Sequence, residues 1–429
     1  VLGVKMSPRS IEQLQHISPK SRLNVLATQA KQLQLSKISG FGCQLEITDQ
    51  TLAASQQLTL AVEKILNEFH LVPEILTSCF WSSLNKEAKT WQHKLCEQFI
   101  HSQQPIRGRV RVDCVVNGYD NGKVSAAIVE FEPHAGDDML VHAIREVYDQ
   151  ADYYKNDYLE LLCAGHMAQT PDRNGRLRVV QWPGDQRADI DYHPAMENLF
   201  KAYRNQGLDC QQYLYEDPAA DWQDALVYRI FEFSEIHKYA AQQKIVTMHD
   251  QGQLRLANPA FVFGKLVPIF VHEFKTIFQD RLQMTDAMIA CFPYTISAQK
   301  FLKNAVEQQK NDYRKMYLKG VFSAGSGGAM DVYPLKNFLT LKGALAFIHE
   351  KINDEYGGWI LQEEVSRHEF TLNQRGEASN KIFTNTNAGV LQRQIFINGK
   401  LLAHYNIASS RHMQTSRKIH AEEGVAIFI

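Results

Sequence analysis

The chain has 429 residues, 45% of them hydrophobic and 22% charged, with 46 Lys and Arg against 47 Asp and Glu. With 22 Phe, 17 Tyr and 5 Trp it is too rich in core-forming side chains to be a disordered protein, and at roughly 100–200 residues per domain it accommodates two to four domains. A formal net charge of −1 leaves neither nucleic acid nor an anionic membrane a global electrostatic footprint, and no apolar run approaches the roughly 20 residues of a spanning helix.

The start, Val1 to Lys20, has no apolar stretch followed by a small-residue cleavage site, so no secretory leader is expected. Cys43, Cys79, Cys96, Cys114, Cys163, Cys210 and Cys291 are scattered without a CxxC pair. Their odd number and their spacing suit neither a zinc site nor a disulfide framework, which predicts reduced thiols in cytoplasm.

Residues 1–105 read as a helical N-terminal region. Ser55–Phe69 places Leu58, Leu60, Val62, Ile65 and Leu66 at helical spacing, and Trp91–Ile100 repeats the pattern. Residues 106–174 open on a hairpin: Arg109–Asn117 alternates, Tyr119–Lys123 supplies turn formers, and Val124–Glu132 returns. A long helix over Met139–Met167 is expected to follow. Residues 175–290 alternate, at least as far as 265, between strands (Arg178–Gln181, Cys210–Leu214, Ala225–Phe233, Lys244–His249) and a helix over Pro194–Gln206 that Gly207 ends. That rhythm predicts a small doubly wound α/β region. In 291–429 a strand at Tyr317–Val321 runs into Gly325-Ser326-Gly327-Gly328. Then come a helix at Leu341–Ile352, a strand at Gly358–Val365, and strands at Gln394–Ile397, Leu401–Ile407 and Val425–Ile429.

Four segments carry candidate chemistry. Lys319 precedes the glycine-rich Gly325–Gly328, where bare backbone can approach phosphate oxygens; the spacing is not that of a P-loop, and a glycine-rich hairpin tip fits as well. Glu130 and Glu132 stand at i and i+2 of a strand, on one face and about 6–7 Å apart. Their repulsion at an effective dielectric near 20 is about 2–3 kcal/mol. A cation between them relieves it, and oxygen donors of this kind suit Mg2+; solvent at a strand edge relieves it too. Arg111 and Asp113 share a face of the preceding strand, as a phosphate-holding arginine and a third metal ligand or as a plain cross-strand ion pair. Trp359–Val365, with Gln362 and Glu363, is a buried strand whose backbone groups can meet an adenine edge, or a core strand that ends in solvated acids. His272-Glu273 lacks the second histidine of a zinc protease and reads as an ordinary helix pair.

In this order the segments resemble the ATP-grasp superfamily, specifically the circularly permuted branch of eukaryotic-type glutathione synthetase and glutathionylspermidine synthetase. The residues are Arg111-Val112-Asp113, Val129-Glu130-Phe131-Glu132, the α/β stretch, Leu318-Lys319 with Gly325–Gly328, and Leu361-Gln362-Glu363-Glu364-Val365. Shorter echoes are Tyr228-Arg229-Ile230-Phe231, Leu256-Ala257-Asn258-Pro259 and Pro293-Tyr294-Thr295. The resemblance spans about 106–429 and rests on order more than on any one motif.

The resemblance implies an ATP-grasp fold: a metal-binding part at 106–174, an inserted α/β substrate domain at 175–290, and an ATP-binding part at 291–429. It implies an ATP-dependent ligase that joins a small-molecule carboxylate to an amine through an acylphosphate, with ATP and Mg2+ as cofactors and a homodimer as the assembly. Asp113, Glu130 and Glu132 would hold magnesium, while Lys319 and Arg111 would serve catalysis. Lys319, Gly325, Ser326, Gly327, Gly328, Gln362, Glu363 and Val365 would hold the nucleotide. Glu132 stands where the branch has Asn, and Ser323 falls near a loop acid of the glutathione synthetases, so the substrates stay open. Arg393, Lys400, Arg411, Arg417 and Lys418 are undivided candidates for a further phosphate contact. A phosphotransferase on the same fold and a non-catalytic nucleotide-binding scaffold are the rival functions.

Overall fold

A computed structural model describes residues 42–43, 49–77, 86–120, 123–133, 158–169, 175–181, 200–201, 203–214, 222–229, 236–237, 239–260, 264–304, 313–321, 332–353, 358–365, 369–375, 382–409 and 424–427. Helix α1, Asp49–Glu68, buries Leu58, Val62, Ile65 and Leu66 along one stripe and leaves Leu60 half exposed on the other side. Helix α2, Lys86–Ser102, adds Leu95 and Cys96 to the same core. Strands β1, Arg109–Asp120, and β2, Lys123–Glu132, form the hairpin. After α3, Tyr158–Met167, come β3, Arg176–Gln181, β4, Asp209–Leu214, and β5, Leu226–Arg229. Helix α4, Ala240–Asp250, leads to the short β6, Arg255–Leu256, and α5, Val267–Glu273, follows. Next are β7, Thr295–Ser297, β8, Met316–Gly320, β9, Val332–Pro334, α6, Leu341–Ile352, and β10, Trp359–Glu363. The chain closes with β11, Glu369–Arg375, β12, Ile382–Ile397, β13, Lys400–Ser409, and β14, Gly424–Ile427.

These strands make three sheets. One is parallel, in the order β4-β3-β5-β6. A second is antiparallel, β9-β8-β10-β7. The third, also antiparallel, is built on β12, which is long enough to serve two neighbours along one edge: its first half pairs with β11 and Leu391–Ile397 pairs with β1. Its other edge carries β13 and then β14, while Gly42–Cys43 adds to β11.

Mixed helix and sheet agree with the α/β expectation. Phe69, just past α1, has its ring centroid 6.3 Å from that of Phe99, 6.1 Å from that of Phe270 and 6.2 Å from that of Phe278, which ties the N-terminal helices to α5 and to the segment after it. A fully buried Phe contributes about 1.5–3 kcal/mol, so this cluster anchors the α1 and α2 layer on the hairpin side of the molecule. Backbone contact is closest at two glycines. At Gly108, φ is +92° and a Cβ would meet Ala257 O at 2.2 Å, where Arg109 N–H donates to the same carbonyl. At Gly165 a Cβ would stand 2.2 Å from Ile397 Cδ1, so α3 rests directly on the end of β12.

One element departs from expectation. Lys244–His249 is helical, within α4, because Gln242, Ile245 and Val246 repeat at helical spacing across the longer Ala240–Asp250 window. The adjacent β-branched pair Ile245-Val246 mimics a strand only when the window is short. Most of the helices expected over Met139–Met167 and Pro194–Gln206 lies outside the described residues, as does 230–233 of the expected strand. Among the described residues no helix is long and apolar enough to cross a membrane. Cys96, Cys114, Cys163, Cys210 and Cys291 are free and buried. Burial pushes the Cys163 and Cys210 thiols up to about 12 and that of Cys291 to about 11.

Candidate functional site

The hairpin register sets Arg111 opposite Glu132 and Asp113 opposite Glu130, and β12 places Arg393 beside Asp113. Alternation along β1 sends Val110, Val112 and Cys114 into the main core and turns Arg111 and Asp113 the other way. On β2 the same separation depends on a bulge. Cys114 pairs with Ile128 while Asp113 pairs with Glu130, so Val129 is the extra residue. The bulge lets Ile128 enter the core while Glu130, two positions later, joins the charged face.

On that face the three carboxylates of Asp113, Glu130 and Glu132 offer oxygens all within 4.8 Å of one another. Arg111 grips Asp113 with two prongs, Nε to Oδ1 at 2.8 Å and a terminal nitrogen to Oδ2 at 3.3 Å, and pairs with Glu132 as well. Arg393 Nε lies 3.5 Å from Asp113 Oδ1. Lys265, at the head of α5, donates to Glu130 Oε1 at 2.6 Å. Arg111, Asp113, Glu132, Lys265 and Arg393 are all buried, and Glu130 is the most accessible of the acids. Oxygen donors at this spacing fit an oxygen-seeking divalent ion in number and type. Each of them also already faces a cation of the chain itself.

The second group of expected residues sits on the β8-β10-β7 sheet. Lys319 donates to Gln362 Oε1, and the fully buried Gln362 amide donates in turn to Thr295 Oγ1 at 3.3 Å. The Tyr317 ring has the ammonium groups of Lys319 and Lys336 at 6.0 and 5.9 Å from its centroid, and its hydroxyl donates to Glu364 at 2.8 Å. The Glu363 N–H donates to Tyr294 O at 2.8 Å, so that backbone donor is engaged within the fold. Val365 is half-buried just past the strand. Helix α5 touches both β2, which carries Glu130 and Glu132, and β7, which belongs to the sheet of Lys319.

Of the residues singled out from sequence, Arg111, Asp113, Glu130 and Glu132 meet in one cluster, and Lys319 meets Gln362. The glycine segment Gly325, Ser326, Gly327, Gly328 lies outside the described residues, with Ser323, Arg411, Arg417 and Lys418. Among the closing basic residues Arg393 is at the cluster, while Lys400 is exposed. Sequence reasoning missed Lys265. Its signal was a single charge within an apolar run, Ala260-Phe261-Val262-Phe263-Gly264-Lys265-Leu266-Val267, where a lysine needs an anionic partner. It also missed Thr295 as the support of Gln362.

The strand-end residues have structural partners. Asn258 donates to Pro133 O and Arg229 O, each at 2.9 Å, and accepts from Arg229 N–H, which fastens the end of β2 to the parallel sheet. His272 Nε2 lies 3.0 and 3.1 Å from the Phe292 and Pro293 carbonyls, a helix-end histidine tied to its neighbouring loop. Two open grooves of about 560 Å3 each run along α2 and α4, one beside Trp91 and Met248 and the other beside His93 and Asp250. Neither is lined by a residue of the two clusters.

No protein-family model matches the chain, and no curated protein matches its sequence. Among solved structures, a glutathione synthetase-like effector from Globodera pallida, in its apo form, is similar over 94% of this chain and 96% of its own, at 11% identity and a TM-score of 0.50. A protein provisionally named gamma-glutamylcysteine synthetase, from Methylobacillus flagellatus KT, is similar over 89% of both chains, at 11% identity and a TM-score of 0.44. The first likeness is one of fold and extends over nearly the whole of both chains.

Proposed function

We propose that the protein is an ATP-dependent carboxylate–amine ligase of ATP-grasp architecture. The observation that carries the reading is the convergence of Arg111, Asp113, Glu130, Glu132 and Arg393 on one buried face of three adjacent strands. The near full-length likeness to a glutathione synthetase-like effector supports the fold half of it. The division into 1–105, 106–174, 175–290 and 291–429, a homodimer and a cytoplasmic location belong to the same proposal.

In the reaction a substrate carboxylate oxygen attacks the γ-phosphorus of ATP and ADP leaves. An amine then attacks the acylphosphate carbon, inorganic phosphate leaves, and the amine gives up a proton as the amide forms. Asp113, Glu130 and Glu132 would hold Mg2+, which when bound offsets the charge of the triphosphate. Lys319, whose ammonium buried Gln362 holds through Oε1, would exchange that oxygen for a phosphate oxygen. Arg111 and Arg393, which pair with Asp113, would offer their guanidinium groups to the phosphoryl oxygens. The Gly325–Gly328 segment would exclude water from the acylphosphate. None of these steps needs a side-chain nucleophile.

A second reading, a nucleotide-binding scaffold without turnover, is favoured by Lys265, whose ammonium already compensates Glu130. One assay separates the two. Mg-ATP with pooled amino acids and polyamines is expected to give amine-dependent release of ADP and phosphate, lost in Lys319→Ala. ATP binding without release supports the scaffold, and full activity in Lys319→Ala removes the phosphate role of Lys319.

A further inference from the structure

Lys265 reaches Glu130 from a different part of the chain, and its backbone is fixed on both sides. Gly264 forms an isolated bridge with Phe131, whose N–H donates to Gly264 O at 3.1 Å. On the other side Leu266 and Val267 are fully buried at the start of α5. Between these two anchors the Lys265 side chain, 7% exposed, ends 2.6 Å from Glu130 Oε1. With Arg111 on Asp113 and Glu132, and Arg393 beside Asp113, the chain supplies as many cations as carboxylates at this face. A divalent ion there would need the lone pairs of Glu130 at about 2.0–2.6 Å. It would also meet the ammonium's like charge within a few ångströms, in surroundings that screen weakly.

We infer that Lys265 is an internal counter-cation that holds Glu130 in the absence of nucleotide, so that a divalent ion and the Lys265 ammonium compete for one carboxylate. The inference rests on the reading of Asp113, Glu130 and Glu132 as a metal face. The apparent affinity for metal alone is the intrinsic affinity reduced by the fraction of Glu130 that Lys265 leaves open. A triphosphate changes the balance because it offers the ammonium another anion. Metal therefore binds with the nucleotide and poorly before it.

The test titrates Mn2+ into the full chain without nucleotide and follows free Mn2+ by electron paramagnetic resonance. Wild type is expected to show no saturable site through the low millimolar range. K265Q and K265M are expected to bind one Mn2+ at least about tenfold more tightly than wild type, and the site is expected to be lost again in K265Q/D113N. Tight binding of one Mn2+ by wild type alone overturns the inference, and this arm stands even where a Lys265 variant fails to fold. Folded K265Q or K265M that gains no affinity overturns it too. ADP release reports separately: an affinity gain in K265Q without turnover in wild type keeps the counter-cation and removes the ligase. Turnover in wild type without that gain does the reverse.

Discussion

Replacing Arg111 with leucine removes the guanidinium on which Asp113 and Glu132 both close. At 2.8 Å and an effective dielectric near 20, the Arg111–Asp113 attraction is about 6 kcal/mol, most of it offset by the desolvation of both groups. The variant loses more than that difference, because Glu132, with a side chain 5% exposed, stays buried without this partner. The expected cost is about 3–5 kcal/mol. Lys275–Asp286 is the control: it is also short, at 3.0 Å, but its side chains are 50% and 79% exposed. Screening and side-chain entropy reduce such a pair to about 0–1 kcal/mol. Urea unfolding followed by tryptophan fluorescence reads both, with the slope required to stay constant. In Arg111→Leu/Glu132→Leu the stranded acid is gone, so the double variant is expected to cost about 1–3 kcal/mol less than the two singles together. Additivity within about 0.5 kcal/mol, or a Lys275→Ala cost equal to that of Arg111→Leu, would refute the reasoning.

Acid sensitivity is expected at His166, whose ring lies 5.8 Å from that of Tyr203 and 5.1 Å from that of Tyr228. Full burial, and to a lesser degree the Arg109 charge, hold its pKa down at about 3. The unfolded chain takes up this proton near pH 6.5 and the folded chain does not until about pH 3. Its contribution to stability is therefore complete above pH 6.5 and falls on acidification by up to about 1.4 kcal/mol per pH unit. His166→Leu is expected to flatten the acid limb of a stability–pH curve, and an unchanged limb contradicts this. Gly165→Ala is expected to cost about 1–3 kcal/mol by overpacking, because its Cβ would meet Ile397 Cδ1 and Cγ1 at 2.2 and 2.8 Å. Ile397→Ala should recover part of that loss in thermal unfolding, and no recovery would mean that the clash lies elsewhere.

The charged face was legible because strand alternation has a strict period. Arg-x-Asp and Glu-x-Glu, on strands joined by a turn, had to present their side chains in pairs. The bulge at Val129 was not legible, since nothing in Ala126-Ala127-Ile128-Val129 marks which residue goes unpaired. The part played by Lys265 depends on a contact between residues 135 positions apart, which no local pattern encodes. Gln362 was singled out for a nucleotide edge through its strand position, and the structure adds that its side chain accepts from Lys319. Helices α1 and α2 were readable from their apolar stripes, but their docking through Phe69 onto Phe270 and Phe278 was not, because a stripe does not name its partner.

The central claim is that the acid cluster and Lys319 serve one triphosphate. Crystals grown with a non-hydrolysable ATP analogue and Mn2+ test it directly, through the anomalous signal of manganese. The account predicts a manganese peak bound by Asp113, Glu130 and Glu132, with the triphosphate between it and the Lys319 ammonium. A nucleotide bound away from β8 and β10, or manganese bound away from these three carboxylates, would contradict it.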